Sequence, residues 1–572
     1  MGDLSSSRTT VRFGEFELDR GAGELRKDGH KIRLQEQPLQ ILHVLLEQPG
    51  KVVQREELRK RIWPGDTFVD FDHGINNAIK RLREALGDTA ETPRFIETLP
   101  RRGYRFLKAV EGASPNVSIA VLPFLSLSAD PENEIFADGM CEEIISSLAQ
   151  INNLRVIART SSFSFKGRHV DLRVIGERLN VSNILEGSVR KSGNRLRITA
   201  QLVNAADGYH LWSETYDREM KDVFAIQEEI AKAIARRLEV TLDSEQRPVF
   251  RAGTDNLEAF KLYTQGRSLF FQRGPHLIRS VECCKRAVAL DPKYALAWSG
   301  LADAYNSVGF YGLARPEASL PQAKEAAHRA IALDSSLAEA HTSLALSHLL
   351  HDWDRPSAER EFLHSLELKP RNSLTRIWYG LFYLQWAKGC FKEGLAHTTQ
   401  AVQIDPLSAF VRAMQSFTYL PIDAEKSLQT ALETLLLDPN AFLGHWAQLS
   451  ALNLQGRHEE AAAVGESAIK LLGRSVWMLA TLARTYAYLG RRADSEALYM
   501  ELRWRSKREY VAPAVLAWAA YAAGEQDQAI QCVQEANAIG DPSLTAAMYW
   551  PDFAELRQDR RFDDILINRG WK

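Results

Sequence analysis

Residues 72–86 read DHGINNAIKRLREAL, and residues 92–106 follow as TPRFIETLPRRGYRF. Wound as a helix, the first stretch places Ile75, Ile79, Leu82 and Leu86 on one side, at the three- and four-residue spacing of a buried stripe. Its other sides carry His73, Asn76, Asn77, Lys80, Arg81 and Arg83. These side chains bond to base edges and phosphates, and a helix is the element that fits the DNA major groove. The second stretch predicts two short strands around a basic tip, Arg101-Arg102-Gly103.

The 572 residues exceed what one hydrophobic core organises, so several domains are expected. A net charge of -2 excludes a uniformly basic nucleic-acid coat, and any DNA-binding surface must be local. Between Ile75 and Lys108 it is: eight cations face four carboxylates, a local +4. The five cysteines are scattered, odd in number and never spaced C-x-x-C, which points away from a disulfide framework or a zinc site and toward a cytoplasmic setting. No signal peptide or membrane span is expected, because the longest apolar run, from Ile119 to Leu125, is short and broken by Pro123.

Working outward, residues 11–34 alternate apolar and polar in two runs, VRFGEFELD and ELRKDGHKIRL, with Asp28-Gly29 as a turn, and predict a small antiparallel sheet. A helix is expected over 38–47, opening on Pro38 with Leu39, Leu42, Leu45 and Leu46 as its stripe and closed by Pro49-Gly50, and another over 55–63. The order is sheet, three helices, hairpin. It resembles the OmpR/PhoB-type winged-helix DNA-binding domain, carried by Val52-Val53-Gln54-Arg55-Glu56-Glu57-Leu58 leading to Trp63, by Arg81 to Asp88 (RLREALGD), and by Ile96-Glu97-Thr98 to Gly103-Tyr104-Arg105-Phe106. The resemblance implies a third helix in the major groove and a hairpin arginine in the neighbouring minor groove. On this reading His73, Asn76, Asn77, Lys80, Arg81, Arg83, Arg101 and Arg102 are the DNA-binding residues. No receiver domain with a phosphoacceptor aspartate precedes the module, so a one-component regulator is expected, its phosphorelay-type output domain working without a receiver.

After a polar linker, 111–116, the pattern mixes strands and helices. Strands are expected at 118–124, 154–158, 184–191 and 195–204, and helices at 138–150, capped by Asp138, at 171–179 and at 223–242. The strings IAVLPF, FADGM, RVIARTSSFSFKG and GYHLWSETYDR resemble the TolB N-terminal-like domain. No phosphate-binding loop, dinucleotide fingerprint or nucleophile elbow occurs, so no catalytic residue and no cofactor is expected. The run SSFSFKG from Ser161 could cradle an anion with Ser161, Ser162 and Lys166, but a solvated loop is the stronger expectation.

From residue 255 helix pairs take over. Gly456, Gly490 and Gly524 recur at 34 residues with Ala461, Ser495 and Ala529 at a constant offset, and Asp291-Pro292, Lys369-Pro370, Asp405-Pro406 and Asp438-Pro439 close successive units. With Trp378, Leu381, Gly389, Gly394, Ala401 and Pro406 at the expected positions, the stretch resembles roughly eight tetratricopeptide repeats. Their concave groove implies a protein or peptide partner. His341, His348, His351 and Asp352 lie close in sequence, but the first two share a packed helical face, and no metal site is assigned.

The expected architecture is multidomain: an N-terminal winged helix-turn-helix of α+β class over 1–110, the linker 111–116, an α/β domain over 117–245, an all-α repeat solenoid over 255–540 and a C-terminal helical cap over 541–572. The expected function is sequence-specific transcriptional regulation from the cytoplasm. Double-stranded DNA is its partner, a homodimer spans two half-sites, and the repeats take protein or ligand input. The rival reading is a repeat scaffold whose winged helix docks a protein.

Overall fold

The 11–34 segment, expected as two strand runs, folds as four strands: β1 (Thr10–Phe13), β2 (Phe16–Asp19), β3 (Glu24–Lys27) and β4 (His30–Ile32), each antiparallel to the next. VRFGEFELD breaks at Gly14, whose φ of +58° makes a turn that few side chains tolerate. In this computed structural model the described residues are 10–19, 23–27, 30–47, 50, 52–62, 71–99, 102–108, 117–127, 131–149, 151, 154–193, 195–219, 223–238, 253–546 and 549–568. Asp28-Gly29, Pro49, Trp63, Arg101, the linker 111–116 and the expected helix tail beyond 238 lie outside them. So does the side chain of His73.

The chain divides near Val117 into two compact units. In the first, α1 (Glu36–Glu47) starts two residues ahead of Pro38 and buries Ile41, Leu42, Leu45 and Leu46. β5 (Val52–Gln54) leads directly into α2 (Arg55–Ile62), α3 (Phe71–Leu86) follows, and β6 (Ile96–Leu99) and β7 (Gly103–Phe106) form the hairpin, with strand order β5-β7-β6. Rings of Phe13 and Phe16 stack at 5.6 Å, with Phe106 and Phe95 edge-on at 5.2 and 5.4 Å, so the N-terminal sheet is seated on the hairpin. Gly103 does more than turn the chain: a Cβ there would meet the Val53 carbonyl oxygen at 2.0 Å, so only glycine lets β7 pair with β5.

The second unit begins with a six-stranded sheet in the order β10-β8-β11-β12-β13, from β8 (Val117–Val121), β9 (Leu125–Ser126, beside β11), β10 (Leu154–Val156), β11 (Asn183–Ser192), β12 (Arg195–Asn204) and β13 (His210–Glu219). β8 runs parallel to β11, and β11, β12 and β13 are antiparallel. Helices α4 (Pro131–Ala149), α5 (Arg159–Phe163), α6 (Leu172–Leu179) and α7 (Val223–Arg237) complete this α/β part. Two expectations change here. Asp138 does not cap a helix but lies within α4, where it accepts from Lys166 Nζ at 2.6 Å while Glu134 pairs with the same ammonium at 2.8 Å. Nor is SSFSFKG a solvated loop: Ser161 and Ser162 are fully buried in α5. The Ser161 amide and hydroxyl bond Asp405 Oδ1 at 3.0 and 2.5 Å, and Thr160 bonds Oδ2. Of the three residues of the expected cradle, Ser161 holds the chain's own Asp405 carboxyl, while Lys166 pairs with Asp138 and Glu134.

Sixteen helices between Leu257 and Ile539 form eight consecutive pairs. Asp291, Lys369, Asp405 and Asp438 end the second helices as C-caps, each followed by its proline. In the fourth pair the first helix widens into a π segment, Trp378–Ala387, whose ten residues are all buried. First helices line the concave side of such arrays, and here their aromatics meet one another. Phe310 stacks on Trp386 at 5.9 Å and on Trp477 at 6.2 Å, and Trp446 lies 5.3 Å from Trp477. The segment after Asp541 enters the same cluster instead of only covering the last pair. Trp550 packs on Trp386, Phe417 and Trp446 at 5.1, 5.5 and 6.1 Å, and Phe553 on Trp518 at 5.0 Å. Over these pairs the groove expected to receive a peptide is filled by the chain's own rings.

Two outcomes follow. Trp550→Ala removes a ring that three pairs share, and thermal denaturation should show a loss of about 3–5 kcal/mol; an unchanged midpoint would mean the segment is not seated there. Glu143, buried on α4 beside Glu142, has its carboxyl pushed from 4.5 up to about 8, chiefly by burial and secondarily by that neighbour. The folded chain therefore holds a proton that the unfolded chain has released between these values, so stability falls as pH rises from 4.5 and the loss is complete above about 8. Glu143→Gln should flatten this slope and raise the melting temperature at pH 9 relative to the parent.

Candidate nucleic-acid interface

On α3 the expected stripe is buried, with Ile75, Ile79, Leu82 and Leu86 each at 2 % exposure or less and Ala78 beside them. Helical geometry divides the remaining polar residues into two flanks. Asn77, Lys80 and Arg81 share an outward flank and are exposed. Asn76 and Arg83, seven residues apart, share the flank that meets the hairpin.

That second flank is occupied. Arg83 donates from Nη2 to the Ile96 carbonyl and to Thr98 Oγ1, both at 2.8 Å, which pins α3 to β6. Asn76 Oδ1 accepts from Arg55 Nη2 at 2.6 Å and from the Tyr104 hydroxyl at 2.9 Å, and Arg55 also donates to Tyr104 at 2.8 Å with its guanidinium 5.3 Å from the ring centre. One residue each from α2, α3 and β7 thus lock together. Arg55 and Tyr104 stand inside the sequence motifs, yet pattern alone gives no sign that they meet across 49 residues.

Asp88, the last residue of the RLREALGD motif, is 8 % exposed and is the hinge of the hairpin. Its Oδ1 accepts the Arg94 amide at 2.6 Å and its Oδ2 the amides of Phe95 and Ile96 at 3.1 and 2.8 Å. Gly87, at φ +61°, ends α3 so that this carboxylate can turn back under β6. The other cations sort by partner. Arg105 pairs with Glu97 across the hairpin at 2.7 Å, and Arg94 lies 3.4 Å from Glu15. Lys80, Arg81, Arg102 and Lys108 are exposed and their side chains bond to no described residue. The Arg102 amide closes the wing turn on the Leu99 carbonyl at 3.0 Å, leaving its guanidinium free of that role.

The histidines considered for metal are engaged otherwise. His341 Nδ1 lies 2.7 Å from Glu361 and Nε2 3.1 Å from the Ser335 carbonyl, while His348 pairs with Asp352 at 2.8 Å. Among the described residues no cluster of three or more His, Cys, Asp or Glu is placed to hold a metal ion, and no helix is long and apolar enough to cross a membrane.

Residues 29–106 match the family described as "Transcriptional regulatory protein, C terminal", and residues 115–233 match "HilA/YgeH-like transcriptional regulator, second domain". Among curated proteins, one of Rhizobium meliloti (strain 1021), provisionally named adenylate cyclase 3, is 34% identical over 53% of this chain and 51% of its own length. The chain thus spans about half of that relative. The transcriptional regulator HilA of Salmonella typhi is 24% identical over 78% of this chain and 80% of its own. Among solved structures, the DNA-binding domain of Klebsiella pneumoniae RstA in complex with RstA box is 30% identical, covers 17% of this chain and 96% of that one, and has a TM-score of 0.16. Both N-terminal domains therefore resemble those of transcriptional regulators, with a winged helix of OmpR/PhoB type at the front and a helical repeat region behind.

Asp88→Ala strands two buried amides, those of Phe95 and Ile96, at a cost of about 1–3 kcal/mol each. Urea denaturation should show the N-terminal unit unfolding at clearly lower denaturant. Retained stability would show that β6 starts without this carboxylate.

Proposed function

We propose that the chain is a cytoplasmic, one-component transcriptional regulator that binds double-stranded DNA through α3 and the β6–β7 hairpin. The observation that carries this reading is the division of α3: Asn76 and Arg83 brace the hairpin, which leaves Asn77, Lys80 and Arg81 exposed on one outward flank. In the major groove Asn77 and Arg81 would read base edges, with Lys80 on phosphate and Arg102 in the adjacent minor groove. His73 and Arg101 are proposed as further contacts at the two ends of this surface. Asn76 and Arg83, expected as direct contacts, are reassigned as residues that hold the reading surface in shape.

One helix reads few base pairs, so the proposal includes a homodimer on two half-sites. Domain limits of 1–110, 117–245 and 255–540, with 541–572 closing the array, are part of it. A protein partner would engage the array outside the aromatic cluster around Trp386, Trp446 and Trp550, since those rings already occupy the inner faces there. No cyclase activity is carried over from a relative of which half is matched.

The test is fluorescence anisotropy of the full chain on DNA enriched from a random pool. Lys80→Ala with Arg81→Ala and Arg102→Ala should weaken binding at least tenfold, and the slope of log affinity against log salt should fall by about 0.9 for each phosphate contact removed. Arg83→Ala should lower stability while leaving that slope close to the parent's. Unchanged affinity in the triple variant would sink the proposal.

A further inference from the structure

Arg273 is a buried cation whose two-donor edge has no hydrogen-bond partner among the described residues. It follows the first helix of the first pair (Leu257–Gln272) and is 8 % exposed. Its backbone sits at φ +62° and ψ −167°, a region that is essentially glycine's. Strain of this kind persists only where the surroundings enforce it, and it gathers at ligand sites. Here it turns the side chain inward. The guanidinium is 4.1 Å from the Phe270 ring centre, 4.0 Å from that of Phe410 and 5.7 Å from that of Trp378. Nη1 donates to Ser307 Oγ at 3.2 Å, while Nε and Nη2 are buried and bond to no described residue.

Nε–H and Nη2–H lie side by side and form the edge that takes both oxygens of a carboxylate. Elsewhere in this chain that edge is used in this way. Arg173 closes it on Asp171 at 3.0 and 2.6 Å, Arg457 on Glu460 at 2.7 and 2.7 Å, and Arg561 on Asp559 at 3.1 and 2.7 Å. Those pairs lie at the exposed surface, where the gain is small. At Arg273, out of water, the gain from a carboxylate would be large and the cost of lacking one is correspondingly large.

The nearest carboxylate cannot supply it. Asp303 accepts from Arg267 Nη1 at 2.9 Å and from Ser343 Oγ at 2.5 Å, so it is committed to a different arginine. Asp303 is the one carboxylate whose charge acts on Arg273, and its bonds to Arg267 and Ser343 leave the Arg273 cation without a counter-ion of its own. Burial pulls the Arg273 guanidinium down to about 10, still cationic at neutral pH.

We propose that the inner side of the helix array holds a binding site for a small monocarboxylate, whose two oxygens close the Nε/Nη2 edge of Arg273 between the rings of Phe270 and Phe410. One negative charge balances this cation, whereas a phosphate dianion would reverse the charge. The site belongs to the second unit and the DNA-binding surface to the first, and its test involves no DNA, so either proposal can fail alone.

The experiment is thermal denaturation and calorimetric titration of the full chain with sodium acetate, propionate and benzoate. Inorganic phosphate is a second arm, and sodium chloride at matched ionic strength is the control. At least one monocarboxylate should raise the melting temperature by several degrees, on the order of the shift expected near 100 times its dissociation constant, and phosphate should not. Arg273→Met should melt no lower than the parent, because it removes an unbalanced cation, and should lose the response. Arg273→Lys keeps the charge without the two-donor edge and should bind at least tenfold more weakly, which decides the matter should the methionine variant fold poorly. No response to any monocarboxylate, a response to phosphate alone, or an equal response in Arg273→Lys would overturn the proposal.

Discussion

A carboxylate taken out of water must be given hydrogen-bond donors, and in this chain that requirement ties distant segments together. Asp88 gathers three amides at the start of β6 and so fixes the hairpin beside α3. Asp405, fully enclosed, takes the donors of Thr160 and Ser161 and joins the α/β part to the end of the fourth helix pair, with the Leu407 amide bonded back to Ser161 at 2.8 Å. Asp541 accepts the Ala514 amide at 3.0 Å and that of Ser543 at 2.9 Å, so the start of the eighth pair anchors the segment that carries Trp550. For Asp88 and Asp541 the donors are backbone amides, which stay in place because helices and strands hold them, and for Asp405 two hydroxyls join one amide. Burial alone pushes the carboxyls of Asp405 and Asp541 upward, and the bonds they accept pull the other way.

What the sequence makes legible is whatever repeats along it. The stripe of α3 follows a 3.6-residue period, the repeat glycines follow a 34-residue period, and each proline after a second helix cuts the chain where helix hydrogen bonding must stop. The order of sheet, helices and hairpin is legible for the same reason. Arg83 is different. Its composition and position match a phosphate-binding cation, and only the proximity of Ile96 and Thr98 turns it into a brace. Ser161 looks like a loop residue because polar runs usually are, and nothing in the run announces a carboxylate arriving from 244 residues away. The closing of the groove by Trp386, Trp446, Trp477 and Trp550 is equally invisible, since it depends on which first helices face one another.

The charge balance of α3 shows why counting residues overstates a binding surface. Of the cations between Ile75 and Lys108, Arg83, Arg94 and Arg105 already have acceptors, and Asp88 and Glu97 are spent on the same local bonds. The Arg94–Glu15 and Arg105–Glu97 ion pairs cancel at short range and contribute little field outside the molecule, whereas Arg83 and Asp88 bond neutral groups that fix their positions. Among the described residues, the exposed side chains from which a phosphate backbone would feel the field directly are those of Lys80, Arg81, Arg102 and Lys108.

A net charge of -2 does not oppose them. At physiological salt the screening length is about 8 Å, so carboxylates further away than that are hidden from a phosphate at the α3 surface wherever else in the chain they sit. Attraction is then confined to the last few ångströms of approach, where shape matters as much as charge. A rigid hairpin is worth more to such a surface than additional lysines. The Arg55–Asn76–Tyr104 lock supplies that rigidity by using an asparagine and an arginine that could otherwise have faced DNA. Contacts are given up to fix the geometry of those that remain, and the fewer the free cations, the more the affinity depends on their being held in register.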